Sequence, residues 1–501
     1  MADPNVEEPL HFFDRIRYRT IKGVVAMFLR QFIVMPVSLV ASVLLARLLQ
    51  PNDFGIYAIA SFWIYIIVGF RDLGFGAALI QQRSEPSRSE WNTIFTFQSI
   101  FVLLTVAGLY FLAGPLTAFY QMDPRMIWVI RGLSLVLLIG LLGSVPNVIL
   151  ERRLAYDVIA KIDGAATLLF HASAVGLALM GFGVWSFIHA AIASELVRAV
   201  LLFWRSSWRI GFSWNKSFLR SALKFGSLYQ LGGLTSLLRD NIAPLLAGPL
   251  FGLGAVGYLK WAERTAYLTS QVFTQIVTRV SFPSFSRMQD HPEEISQAVE
   301  KMLRYLMLAT APTLAVGAAL IPWIIDFVFT NKWEPATVAF YLLTVRMLGG
   351  NITTPFIGVL NATGRVTTSL RILSLWTITD WGLALVFTRL WGFNGVAAAY
   401  ALGIALPVVW LLREFRRVAP INLKYALGHP VAAGVIAGVV TWSLGRAWVT
   451  GLPSLIAVML LGLILYPLSM ILIEQGRFVH DIRREASLVK NVVGSKLEET
   501  G

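Results

Sequence analysis

Seven basic residues lie inside long apolar runs of this sequence: Arg30, Arg131, Arg198, Arg239, Lys260, Arg264 and Arg346. The acids within or beside those runs are Asp163, Glu195, Asp240, Glu263, Asp326 and Asp380. Arginine carries a rigid fork of donors that matches phosphate and carboxylate oxygens, so a surplus of such groups is suited to holding an anion. A charge at the centre of a membrane helix costs about 2.5–3.5 kcal/mol, so seven facing lipid would cost on the order of 20 kcal/mol. They are expected to face protein or water. One reading pairs them locally: Glu195 with Arg198 and Lys260 with Glu263, three residues apart, with the adjacent Arg239 and Asp240 finding partners elsewhere. The other places the surplus around a water-filled cavity of positive potential.

Depth ranks the candidates. Arg264 and Arg346 fall about ten residues into their runs, near mid-bilayer, and Arg30 lies closer to one end. The substrate-binding candidates are therefore Arg30, Arg239, Arg264 and Arg346, followed by Arg198 and Lys260. Asp240 and Asp380 are candidates for ion coupling or for permanent salt bridges. Trp63, Trp261, Trp376 and Trp381 lie deep enough to stack on sugar rings or to pack in a core. Most other tryptophans fall near run ends, where indoles favour the membrane interface. Arg131 can snorkel outward from its span. His171 and His189 read as packed bundle residues or, less directly, as a proton relay.

The elements that position these residues are membrane helices. The 501 residues are 56% hydrophobic and 14% charged, with a mean hydropathy of +0.67, too apolar for a soluble chain. Crossing a bilayer core takes roughly 20 apolar residues, and fourteen such runs are read near 24–46, 54–70, 91–113, 126–149, 158–180, 184–204, 224–247, 255–279, 305–329, 336–360, 366–388, 392–412, 430–450 and 453–473. The first is too long for a signal-peptide core and is expected to stay in the mature protein. Lys and Arg in alternate connecting segments number about thirty against five, which places both termini in the cytoplasm. The net charge of +14 is thereby a matter of topology rather than of nucleic-acid binding.

Several chemistries are excluded or disfavoured. There is no cysteine, hence no disulfide or thiolate metal site, and no metal or cofactor is expected. No G-x-x-x-x-G-K-[ST] loop, H-E-x-x-H helix or G-x-S-x-G elbow occurs. The longest loop, 280–304, is read as cytoplasmic, so no large outward loop is present to carry the catalytic residues of a glycan polymerase or ligase. An enzyme is not expected, and no catalytic residue is assigned.

The polar interruption in "LLARLLQPNDFGIYAIA" at 44–60 reads as the turn between spans one and two, with Pro51 and Asn52 breaking the helix. It has an echo 202 residues later in "AGPLFGLGAVGYLKWA" at 247–262, where Leu48, Gly55 and Ala60 recur as Leu250, Gly257 and Ala262. A second echo links "GFGVWSFIHA" at 181 with "GFNGVAAAYA" at 392. The common spacing of about two hundred residues divides the chain into parallel repeats. The expected architecture is an all-α membrane protein of about fourteen transmembrane helices. Two six-helix bundles, 1–210 and 211–424, are related by a pseudo-twofold axis along the membrane normal, followed by a helix pair at 425–475 and a cytoplasmic tail at 476–501.

With "RDLGFGAALIQ" at 71, "AGPLFGLGAVGYLKWAERT" at 247, "FPSFSRMQD" at 282 and "NATGR" at 361, these segments resemble the Wzx-like oligosaccharide flippase branch of the multidrug/oligosaccharidyl-lipid/polysaccharide exporter superfamily. The resemblance implies alternating access through a central cavity in a bacterial inner membrane. Its substrate would be an undecaprenyl-pyrophosphate-linked oligosaccharide for surface or exopolysaccharide synthesis. It also implies contacts from spans one and seven, onto which Arg30, Arg239 and Asp240 map, and a groove for the lipid tail beyond residue 430. Relatives often carry Arg where Pro249 stands, which favours a turn-capping or interfacial role for Arg47. A lipid II flippase and a cation-coupled multidrug antiporter of the same superfamily are the alternatives. Besides the bilayer and the lipid-linked glycan, a polysaccharide polymerase and a chain-length regulator are candidate partners.

Overall fold

Pro51 opens a helix instead of ending one. A computed structural model of the chain describes residues 12–72, 75–82, 84–122, 126–268, 285, 288, 292–416, 421–481, 483 and 487. In it, helix α1 (Phe12–Leu48) runs straight into α2 (Pro51–Asp72). Pro51 stands first in α2, where its missing N–H is no loss and its fixed φ favours the helix. The Asp53 carboxylate then accepts the Gln50 backbone N–H at 2.9 Å. Exposed Arg47 lies in the last turn of α1, beside its carbonyl end, where a cation is favoured. The polar interruption is thus a pair of helix caps.

The rest of the first half is α3 (Phe75–Gln81), α4 (Arg88–Phe119), α5 (Met126–Arg152), α6 (Tyr156–Leu179), α7 (Trp185–Ser206), α8 (Lys216–Asp240) and α9 (Gly248–Leu268). A π-helical turn, Ala243–Ala247, leads into α9, so the turn expected at 247–254 is replaced by continuous helix with one kink. Gly252 makes that kink, at φ 82° and ψ −180°, a conformation that a side chain would resist. The second half holds α10 (Pro292–Ile324), α11 (Thr337–Ala362), α12 (Val366–Trp391), α13 (Asn394–Gly403), α14 (Ala405–Arg416), α15 (His429–Trp448) and α16 (Leu452–Glu474).

The protein is all-α, and among the described residues twelve helical segments are long and apolar enough to cross a bilayer. They match twelve of the fourteen expected runs. The run near 336–360 is the helix α11, whose apolarity is diluted by Arg346, Asn351 and several threonines. That near 224–247 falls on α8, which carries Lys216, Arg220, Lys224, Arg239 and Asp240. The loop expected at 280–304 is helical from Pro292 onward; its "FPSFSRMQD" segment apart from Phe285 and Met288, the end of the run at 255–279, the first eleven residues and most of the tail lie outside the described residues.

The chain forms two compact units, Met1–Lys260 and Trp261–Gly501. Within the first, α1 packs on α6, α5 on α4 and α7, and α6 on α7. Within the second, α15 packs on α10 and α16, and α13 on α11 and α12. Gly434 and Gly438 of α15 lie flat on α10: Cβ atoms built there would stand 3.4 Å from the Cβ atoms of Ala311 and Ala315. Small residues four apart on both helices let the backbones approach. The equal steps show α10 and α15 running in the same direction.

The outer faces are apolar and bare, as with Phe32 (71% exposed), Phe111 (78%) and Leu472 (79%). Water would penalise such surfaces, and a bilayer accepts them. Many threonine and serine hydroxyls inside the helices are satisfied locally: Thr310 donates to the Leu306 carbonyl and Thr388 to the Ala384 carbonyl, each at 2.7 Å, as suits a medium without water.

Candidate functional site

Asp163 of α6 is held between two arginines from different helices. Arg198 on α7 donates through Nε to Asp163 Oδ1 at 2.9 Å, and Arg30 on α1 brings Nη1 to 3.5 Å from Asp163 Oδ2. Gly164 permits this approach: a Cβ there would meet Arg30 Cγ at 3.2 Å. Arg198 also reaches Asn147 Oδ1 at 3.4 Å and Glu195 Oε1 at 3.7 Å, so the expected 195–198 pair exists as one edge of a larger cluster.

Arg71, at the end of α2, joins this cluster. It is only 9% exposed, and a Cβ at Gly140 would lie 3.0 Å from Glu195 Oε1 and 3.6 Å from Arg71 Nη1. Glycine on α5 leaves the room that the two charged heads share. Three guanidinium groups thus share two carboxylates, and Asn147, which accepts from Arg198, links Glu151 to the same cluster by donating to its Oε1 at 2.8 Å. Arg30, Arg198 and Asp163 keep a quarter or more of their side-chain surface open, yet among the described residues the buried Arg30 Nε has no hydrogen-bond acceptor. A buried donor on a cation is costly until an oxygen comes to it.

The other expected residues fall elsewhere. Arg239 donates to its neighbour Asp240 through Nε at 3.0 Å and Nη2 at 3.2 Å, so the two bind each other in addition to any distant partner. Lys260 donates to the Asp240 carbonyl oxygen at 3.1 Å. In the second unit, Glu263 lies 3.5 Å from Arg346 Nη1, while the Arg346 guanidinium covers the Tyr400 ring at 3.8 Å. A contact between distant helices thus engages Glu263, which sequence proximity pairs with Lys260 on its own helix. Arg264 is exposed on α9. Asp380 is fully buried on α12 against Gly403, where any Cβ would collide with its Oδ1.

The tryptophans divide. Trp261 is buried, stacked on Trp333 at 5.1 Å and met edgewise by Phe329 at 4.9 Å, and Trp376 is buried on α12. Trp63 and Trp381 remain partly exposed. Arg131 lies over the Tyr110 ring at 3.7 Å and donates to the Tyr110 carbonyl oxygen. His189 stacks on Trp185, and His171 is packed against Phe170.

Sequence reasoning missed Arg71 and Asn147, and named Asp163 without a role. Arg71 was counted as a loop residue, and only the three-dimensional meeting of α2, α5 and α7 reveals it. Gly140 and Gly164 were the available signals, since glycine inside an apolar helix marks close approach.

A family model described as "Polysaccharide biosynthesis protein" matches residues 44–338. The chain belongs to this family. Among its relatives, the lipopolysaccharide biosynthesis protein WzxC of Escherichia coli (strain K12) is 24% identical over 358 residues, 71% of this chain and 72% of WzxC. The succinoglycan biosynthesis transport protein ExoT of Rhizobium meliloti (strain 1021) is 27% identical over 327 residues, 64% of this chain and 65% of ExoT. The fold is that of the lipid II flippase MurJ in its inward closed conformation, with a TM-score of 0.76 over 91% of this chain and 99% of MurJ at 14% identity. An inward-facing multidrug resistance MATE family transporter of the MOP superfamily follows at 0.57, over 80% of this chain and 98% of the transporter, at 16% identity. This member of the polysaccharide biosynthesis protein family is thus a multi-span membrane protein whose fold is shared with MurJ and the MATE transporter.

Proposed function

We propose that the protein moves a polyprenyl-pyrophosphate-linked oligosaccharide repeat unit across the bacterial inner membrane by alternating access through a cationic cavity. Its termini lie in the cytoplasm, and the sugar is delivered to the opposite side. Each sugar hydroxyl stripped of water costs roughly 1–3 kcal/mol, so an unaided passage of several sugars is negligible. A wet, polar path removes that barrier, and guanidinium groups neutralise the pyrophosphate.

The observation that carries this reading is the Arg30–Asp163–Arg198 arrangement, with Arg71 beside it and one buried Arg30 donor awaiting an acceptor. A pyrophosphate oxygen supplies that acceptor. Arg239, Lys260, Arg264 and Arg346 are proposed as further anion contacts. Trp63 and Trp381, partly exposed, are the tryptophans suited to sugar faces. The relatives named for lipopolysaccharide and succinoglycan synthesis support the substrate class. A multidrug antiporter of organic cations would instead require a surplus of acids.

The test is transfer of a fluorescent polyprenyl-pyrophosphate oligosaccharide in proteoliposomes. Arg30→Gln with Arg198→Gln is expected to abolish transfer while the protein still inserts and elutes as a single species. Unchanged transfer by the double variant would remove the cluster from the path, and transfer of lipid II alone would reassign the cargo.

A further inference from the structure

The two echo segments of the sequence touch each other, and they do so reciprocally. A Cβ at Gly55 would collide with the Leu253 carbonyl oxygen, with the Leu253 carbonyl carbon at 2.7 Å and Gly257 N at 3.2 Å. A Cβ at Gly257 would collide with the Pro51 carbonyl oxygen, with the Pro51 carbonyl carbon at 2.8 Å and Gly55 N at 3.3 Å. Adding the 202-residue offset turns 51 into 253 and 55 into 257, so each contact is the image of the other. A third contact obeys the same offset: a Cβ at Gly254 would stand 2.9 Å from Asn52 Oδ1. Exchange of i with j is what a twofold axis imposes on a contact.

We propose that these turns form a self-complementary latch that must part for the transport path to open on that face of the membrane. The contact is backbone on backbone, made where α2 begins and just past the Gly252 kink in α9. Glycine at 55 and 257 leaves out the Cβ atoms that would collide with the facing backbone. The nearest atoms to both glycines are backbone atoms of the other segment, so the seam itself is uncharged. Conserving the offset gives both repeats an equal share in the closure. That this face is the non-cytoplasmic one rests on the orientation proposed above.

The chain has no cysteine, so an introduced pair reports alone. Asn52→Cys with Gly254→Cys places two thiols within the reach of a disulfide. In proteoliposomes the oxidised protein is expected to transfer the fluorescent pyrophosphate lipid at least about tenfold more slowly, with recovery on reduction, as for a closed gate. Undiminished transfer after complete oxidation, or failure of the disulfide to form, overturns the latch. A second measurement needs no cargo. Nitroxides at the exposed repeat partners Leu48 and Leu250 are expected to give two distance populations by double electron–electron resonance in nanodiscs. One fixed distance under all conditions overturns the latch, whereas two distances without transport of any pyrophosphate lipid would sink the proposed cargo and leave the latch standing.

Discussion

Arg304 and Glu474 meet fork to fork, with Arg304 Nη1 and Nη2 donating to the two carboxylate oxygens of Glu474 at 2.8 Å each. Their side chains are 4% and 1% exposed. Arg304 also covers the Tyr425 ring at 3.6 Å and lies 3.3 Å from Asp481 Oδ2, while His429 Nδ1 stands 2.9 Å from Glu474 Oε1. The knot binds α10 to the start of α15 and the end of α16.

Breaking this pair leaves a buried charge uncompensated, which costs about 3–5 kcal/mol. Glu474→Ala is expected to lower the melting temperature of the detergent-solubilised protein markedly. Replacing both Arg304 and Glu474 with apolar residues should recover much of the loss. A double variant no more stable than Glu474→Ala would show that the pair is not the source.

Asp163 competes with any anion for Arg30 and Arg198. Asp163→Asn removes that competitor's charge and is expected to tighten binding of undecaprenyl pyrophosphate by about tenfold, on the scale of one charged hydrogen bond. Slower release should then reduce turnover. Calorimetric titration of the purified protein checks the first, and the transfer assay checks the second. Weaker binding would assign Asp163 to holding the arginines in place.

Two glycines near Asp380 should respond oppositely to alanine. At Gly403 the new methyl collides with the buried carboxylate of Asp380, whereas at Gly382 nothing lies within 4 Å. Gly403→Ala is expected to cost about 1–3 kcal/mol or more by overpacking. Gly382→Ala should be neutral or add a few tenths of a kcal/mol, because it restricts the unfolded chain at a helical position. Thermal melts of both variants in the same detergent settle the comparison.

Arg152 of α5 caps the far end of α3, donating to the carbonyl oxygens of Leu79, of Gln82 at 3.0 Å and of Ser84 at 2.8 Å. Arg152→Ala leaves these acceptors unfilled, a loss of about 1–3 kcal/mol for charged hydrogen bonds. Faster hydrogen exchange is expected over residues 79–84 with little change in α5 itself. Uniform acceleration through α5 would show a wider role.

The apolar runs were legible because membrane helices announce themselves by length. The turn at Pro51 and Asn52 was legible too, although it proved to be two caps in succession. Pairings were harder. Glu263 was read with Lys260 because they share a helix, yet it meets Arg346 from α11, and nothing in a linear spacing encodes that meeting. Glu474 drew no notice because it ends its run, and Arg304 was read as a loop cation. The echo at 202 residues was visible as three letters; that the echoed glycines press on each other required coordinates.

The seam between α10 and α15 has a repeat of its own. Gly434 and Gly438 rest on Ala311 and Ala315, while their neighbours Val435 and Val439 point away, more than half exposed. A screw motion of α15 by one residue, which turns the helix by about 100°, would drive valines into alanines, whereas a slide of one full turn, about 5.4 Å, that carries Gly438 to Ala319 meets a similar small residue. Movement along this seam therefore comes in whole notches, like a pawl on a rack, and small drifts are refused.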